Sequence, residues 1–334
     1  MIVSRTPFRI SLFGGGTDYP EWFKTSGGQV ISLAINKYCH VTVRRLPPYF
    51  HYNYRVRFFN EQKTKVISKI NNPVVRETLR YFKFHNQKIE IVHYGDLPGL
   101  SGLGGSSAFA VGLINALNKL KNKKLNELQL AKEAIYIERD LVGDNVGFQD
   151  QIISSYGGFR SIKFFKSKKQ FLVNTIKINN EIKSQIENNL ILVYTNQQRF
   201  SKKITKILSR KILQNKSNDY LTEIALATHE AEKLFKSKIL DLKSMADLIN
   251  YQWERKKKLA PGINNDQIEK IYNLALSKGA YGGKLLGAGG GGFLLFIVPD
   301  KNLKNFKSCF FKHIFLQIKI DQIGSDILYD STNR

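Results

Sequence analysis

Between Pro98 and Phe109 the chain reads PGLSGLGGSSAF, with glycines at 99, 102, 104 and 105 and serines at 101, 106 and 107. Glycine lets a backbone approach a ligand closely and turn its amides outward. Downstream, Ala110, Leu113, Ile114, Leu117 and Leu120 recur at helical spacing. The loop therefore feeds a helix, with Ser106 or Ser107 as its expected N-cap. Unpaired amides and the helix dipole at such a point both favour an anion. Phosphate binding is the chemistry this spacing suggests, against a plain turn that starts a helix.

Five charged positions surround this loop in sequence. Arg9 lies in the opening apolar run, and Asp18 follows the turn GGGT directly; a solvated surface pair is the alternative for both. Glu138 interrupts an apolar stripe of Leu128, Ala131, Ile135 and Val142, spaced three and four apart. A carboxylate on a packed face is costly unless paired, hydrogen-bonded or bound to a metal. Arg139 points elsewhere on the helix, so the choice is between a buried pair with a distant base and a magnesium ligand beside phosphates. Asp150, between two glutamines, precedes a short apolar helix. It is either a rigidly held reactive carboxylate or an ordinary helix-start acid. Arg199 stands before a basic helix that Ser201 is expected to cap, a further anion-friendly arrangement unless the arginine is simply solvated.

The elements that must hold these groups can be read in order. Ile2–Phe13 is expected as a strand, with Pro7 at an edge or bulge. Strands follow at 29–34 and 38–44, then a helix opening at Pro73, a strand at 89–94 and the helix after the central glycine loop. Asn126 is expected to cap the helix bearing Glu138. Strands are expected at 159–165 and 171–178, and a polar bridge at 179–189. The second half reads as a strand at 190–195, helices near 201, 218–235, 241–258 and 265–278, and two apolar strands around a glycine-dense turn at 282–298. A helix at 303–312 and a strand at 314–320 complete the chain. No fixed-period repeat appears.

With 334 residues and 42% hydrophobic content, the chain is expected to fill two cores rather than remain disordered. No apolar run of about 18 residues is present, so no membrane span is expected. The start reads as a strand, not a leader. Cys39 and Cys309 are far apart and lack metal-ligand spacing, which suits a reducing cytoplasm. The net charge of +25 raises nucleic acid as a partner, but the lysines are spread along the chain without a recognition motif. The charge is expected to attract phosphorylated substrates instead.

Three glycine motifs, RTPFRISLFGGGTDYP, PGLSGLGGSSAF and KLLGAGGGGF, occur in that order, with Glu138 and Asp150 between the second and third. In this the chain resembles the GHMP kinases, and within them the sugar-1-kinase branch, over nearly its whole length. The central loop departs by carrying Gly99-Leu100 where many relatives have Pro-Gly.

The resemblance implies an α+β, two-domain GHMP kinase fold. Residues 1–180 would form an ATP-binding domain with a left-handed β-α-β unit, and 181–334 a ferredoxin-like domain. It implies ATP phosphates wrapped by Pro98, Ser101, Gly102, Leu103, Gly104, Gly105, Ser106 and Ser107, and Mg2+ held by Ser107 and Glu138. Asp150 would be the catalytic base and Arg9 would offset charge on the transferred group. Gly16, Thr17, Asp18, Gly289 and Gly290 would bind or shape the site for substrate. The implied reaction is transfer of the ATP γ-phosphoryl group to the anomeric hydroxyl of a sugar. Heptose 7-phosphate is the leading substrate, and an unphosphorylated sugar such as fucose or galactose the alternative. A sugar phosphate requires a second anion site, for which Arg199 and the helix after it are the candidates. A homo-oligomer is compatible with the sequence.

Overall fold

The computed structural model describes residues 1–166, 170–197, 201–311 and 313–331. Arg199 and the side chain of Ser201 lie outside the described residues.

The chain opens with β1 (Ile2–Phe13), α1 (Pro20–Ser26) and β2 (Gly28–Arg45). β1 pairs with β2 along its length, and the register shifts at Pro7/Phe8, where proline has no amide to offer the ladder. The expected strands at 29–34 and 38–44 are one strand of 18 residues, long enough to serve two neighbours. Its far half, Cys39–Arg45, pairs with β5 (Ile89–Gly95). Its near half, Gly28–Leu33, pairs with β6 (Phe159–Phe164), which carries β7 (Phe171–Thr175). Short strands β3 (Tyr54–Arg57) and β4 (Glu61–Thr64) extend the sheet beyond β5. The β3–β5 pairing is parallel, and α2 (Pro73–Tyr81) lies in the crossover between them.

Helix α3 (Gly105–Leu120) packs on β1 and β2, apolar around nearly its whole circumference and correspondingly buried. α4 (Glu127–Ile135) starts at a capping box of Asn126 and Gln129, as the sequence suggested. It continues into a π-helical turn, Tyr136–Leu141. The inward residues of this helix and turn are Leu130, Ala131, Ala134, Ile135, Ile137 and Glu138. Leu128, expected inside, is exposed. α5 (Gln149–Tyr156) then leads into β6.

The segment 179–189, expected as a polar bridge, is the helix α6 (Asn180–Asn189). Asn179 caps it, and Ile182 and Ile186 face inward. It delivers β8 (Leu190–Tyr194), followed by α7 (Ser201–Leu213), α8 (Asn218–Leu234), α9 (Leu242–Leu259) and α10 (Asp266–Ser277). Next come β9 (Gly282–Leu285), β10 (Phe293–Ile297), α11 (Asp300–Cys309) and β11 (Phe315–Gln317). These strands form an antiparallel sheet in the order β11-β8-β10-β9. Numbered in chain order this is 4-1-3-2, the ferredoxin-like arrangement. A final strand that the sequence reading lacked, β12 (Asp326–Asp330), pairs with β1. A division near residue 180 remains our proposal, with residues 326–330 assigned to the first sheet. Among the described residues no helix is long and apolar enough to cross a membrane.

Candidate active site

Strand β1 carries Arg9 inward, 4% exposed, against the central glycine loop. Its amide donates to the Leu103 carbonyl at 3.0 Å, and its Nη1 donates to the Gly102 carbonyl at 2.7 Å. The rest of the guanidinium meets Asp150 in a two-pronged ion pair, Nε to Oδ1 at 2.7 Å and Nη2 to Oδ2 at 2.6 Å. Such a fork fixes the plane of the carboxylate as well as its position.

The loop ends at Gly104, left-handed at φ 78°, which takes the N-cap position itself. Ser106 and Ser107 are therefore not caps but lie inside the first turn of α3. No side chain caps this helix, so its leading amides remain available to an anion. The two serine hydroxyls turn instead to Glu138, Ser106 Oγ donating at 3.2 Å and Ser107 Oγ at 2.7 Å. Gln151 Nε2 donates to the same carboxylate at 2.7 Å. Burial is the chief influence on Glu138 and, with the nearby Asp150 charge, pushes its pKa up to about 7 against the lowering effect of these bonds. Arg139 is no partner for it; that guanidinium pairs with Glu21.

Asp18 occupies the opposite wall. It accepts the Gly16 amide at 3.0 Å and the Gln149 amide at 3.2 Å. Burial foremost, then Asp150, raises its pKa. A β-carbon on Gly147 would stand 1.9 Å from Asp18 Oδ2, so any larger residue there must displace that carboxylate. Three successive residues thus organise the site: Gln149 holds Asp18 through its backbone, Asp150 meets Arg9, and Gln151 meets Glu138. Gln149 also accepts Ser11 Oγ at 3.1 Å and donates to Ser32 Oγ at 3.2 Å, locking α5 onto β1 and β2.

The C-terminal sheet supplies the back wall. Phe293 N donates to the Ser101 carbonyl at 2.9 Å. A β-carbon on Gly292 would sit 2.3 Å from that same oxygen, and its φ of +99° disfavours any other residue. The cleft so enclosed is lined by Arg9, Asp18, the loop from Leu100, Glu138, Asp150 and residues of α9 and β9.

Comparison with known proteins bears on this arrangement. Residues 69–158 match the model for the GHMP kinases N terminal domain, and 231–313 that for GHMP kinases C terminal. The D-glycero-alpha-D-manno-heptose 7-phosphate kinase of Campylobacter jejuni is 33% identical, over 92% of each chain. The chain belongs to the GHMP kinase family. A galactokinase of Pyrococcus furiosus is 23% identical over 91% of this chain and 90% of that one. The fold is shared with a crystal structure described as a D-glycero-D-manno-heptose 1-phosphate kinase from Bacteroides thetaiotaomicron. That match has a TM-score of 0.80 and 20% identity, covering 99% of this chain and 100% of the other.

Within this GHMP kinase not every expected position faces the cleft. Arg9, Gly16, Asp18, Ser101, Gly102, Gly104, Gly105, Ser106, Ser107, Glu138 and Asp150 do. Thr17 does not: its buried hydroxyl donates to the Gly14 and Gln29 carbonyls and accepts the Gln29 amide, which holds the first glycine turn on β2. Pro98 is exposed on the outer side of the loop, where Leu100 lines the cleft in its stead. Leu103 is fully buried in the core. Gly290 donates its amide to the Ile263 carbonyl, and Gly289 packs on Ile263; the lining passes through Gly287 and Ala288.

The sequence reading also missed members of the site. Gln149 and Gln151 were read only as the flanks of Asp150, because a neutral amide carries no pattern of its own. Gln252 on α9, whose Oε1 accepts the Gly14 amide at 3.1 Å, is of the same kind. Lys284 did leave a signal, as the one charge in GGKLLGAGGGGFLLFIV.

The donors present fit Mg2+. Ser107 Oγ and the Glu138 carboxylate are hard oxygens held together, and the nearby Gln151 Oε1 is buried without a hydrogen-bond partner. Among the described residues no cluster of three acidic, histidine or cysteine side chains could hold a metal by itself. That suits an ion completed by phosphate oxygens and water.

Proposed function

We propose that this chain is an ATP-dependent sugar-1-kinase acting on D-glycero-D-manno-heptose 7-phosphate, giving the 1,7-bisphosphate for a nucleotide-activated heptose. The observation that carries the reaction class is the Arg9–Asp150 fork, bonded to the same glycine loop that leads into the uncapped start of α3. A nucleophile-orienting carboxylate, a fixed cation and a row of backbone donors meet in one cleft. The kinship over 92% of the chain with the Campylobacter enzyme supports the substrate.

Phosphoryl transfer asks a protein mainly for positioning and charge stabilisation. The amides of Gly105, Ser106 and Ser107 receive the nucleotide phosphates. Ser107 and Glu138 hold Mg2+, which supplies positive charge against the phosphate oxygens when bound. Asp18 accepts hydroxyls of the sugar. Asp150, held in plane by Arg9, takes the anomeric hydroxyl proton or orients that hydroxyl. Arg9 offsets negative charge gathering on the transferred group. The carboxylates stay in register because α5 holds both Asp18 and Asp150. We place the protein in the cytoplasm, where ATP and sugar phosphates are found.

The test is ATP consumption with Mg2+ and a panel of heptose 7-phosphate, mannose, galactose, fucose and mevalonate. Rapid turnover of heptose 7-phosphate to a bisphosphate is the expected result. Turnover confined to a neutral sugar would retain the kinase and reject the substrate assignment.

A further inference from the structure

Two lysines of the C-terminal unit line the cleft and have no role in the reaction scheme above. Lys284, on β9, is 4% exposed, and its Nζ donates to the Leu12 carbonyl at 2.6 Å. This uses one of three N–H donors. Among the described residues no carboxylate lies within ion-pair distance of it, and the charge that acts on it is the like charge of Arg9. Burial first, then Arg9, lowers its pKa to about 7. A buried ammonium without a counter-ion is costly, so its retention beside a cleft calls for an anion.

Lys256 approaches the same region from α9. Gln252, one helical turn earlier, binds the Gly14 amide and so fixes this helix against the turn that carries Asp18. The Lys256 Nζ donates to the Leu285 carbonyl at 2.9 Å and the Gly287 carbonyl at 2.5 Å, flanking Leu286 two residues beyond Lys284. The charged residues of the reaction scheme have partners of their own. Arg9 and Asp150 satisfy each other, Glu138 faces two serines and Gln151, and Asp18 faces two amides. Lys284 is thus a buried cation on the back wall with no carboxylate at ion-pair distance among the described residues.

We propose that Lys284 and Lys256 together form a phosphate-recognition site on the C-terminal wall of the cleft. A phosphate monoester brings two negative charges and several acceptor oxygens, matching the remaining Lys284 donors. Two sources fit this chemistry: the terminal phosphate of the nucleotide, or the phosphate already present on a sugar phosphate. Only the second source rests on the function proposed above.

The test uses Lys284→Met, Lys256→Met and Lys284→Arg, each checked for folding by circular dichroism. Protection from thermal unfolding by inorganic phosphate is read first, because it needs no turnover. Wild type is expected to gain stability with phosphate, Lys284→Met to lose that response, and Lys284→Arg to keep part of it. Kinetics then separate the sources. A tenfold or larger rise in KM for sugar phosphate, with KM for ATP unchanged, assigns the site to the sugar. The reverse assigns it to the nucleotide. Phosphate protection and kinetic constants like those of wild type in both methionine variants would overturn the site. If Lys284→Met fails to fold, Lys256→Met and Lys284→Arg decide. A wild-type protein that phosphorylates no sugar but is protected by phosphate would reject the proposed reaction and leave the site standing.

Discussion

At the scale of single residues, the Asp150 carboxylate and the Arg9 guanidinium hold each other in a fixed plane. Asp150→Asn keeps the shape and removes the charge. It is expected to lower kcat by about 100-fold or more while leaving KM for ATP within about twofold; steady-state kinetics with both substrates varied check this. Glu138 presents the opposite situation, a carboxylate whose burial opposes ionisation. An unfolded glutamate ionises near pH 4.5, whereas in the fold this one retains its proton up to about 7. Stability in the absence of Mg2+ must therefore fall as pH rises between those values, by up to about 3 kcal/mol. Urea denaturation of wild type and Glu138→Gln at pH 5 and pH 8 measures the difference. The variant is expected to be the more stable protein at pH 8, by about 1–3 kcal/mol, and to lose Mg2+-dependent turnover. An unchanged difference between the two pH values would show that Glu138 is ionised in the apoprotein.

At the scale of elements, the site depends on how closely backbones approach. Gly292→Ala would drive a methyl group into the Ser101 carbonyl and force a left-handed φ on alanine. A loss of more than about 2 kcal/mol in stability is expected, with weaker ATP binding, since the glycine loop proposed to receive the ATP phosphates rests on this contact. Gly147→Ala acts on Asp18 instead, so KM for the sugar should rise more than KM for ATP. Calorimetry and the same kinetic assay separate the two variants. Much of this was legible in the chain. Arg9, Asp18, Glu138 and Asp150 stood out as charges among apolar or glycine-rich neighbours, and the glycine motifs marked where loops meet. The capping serines were misread because Gly104 takes the N-cap position, leaving Ser106 and Ser107 to reach Glu138. Leu128 was misplaced because it lies in the first turn of α4, two residues after the capping Asn126, and is exposed there although Ala131 and Ile135 on the same stripe are buried. Pairings such as Gln151 with Glu138 depend on tertiary approach, which sequence spacing does not encode.

At the scale of the molecule, two sheets close on one cleft, and bonds such as Lys284 to Leu12 cross between them. The outer edge of β1 is covered by β12, and Ser331 N donates to the Met1 carbonyl at 3.0 Å beside it. Removing residues 325–334 is expected to uncover that edge, lower the melting temperature by several degrees and promote association through the exposed strand. Light scattering and a thermal melt would detect both effects. A truncated protein with the association state and the melt of the full chain would show the cover to be dispensable. The same pairing bears on how the chain is made. A growing polypeptide ordinarily folds its leading domain while the ribosome is still adding the next. Here β1 waits for β12, which follows the whole C-terminal unit in the chain, so the N-terminal sheet cannot be finished until that unit has been made.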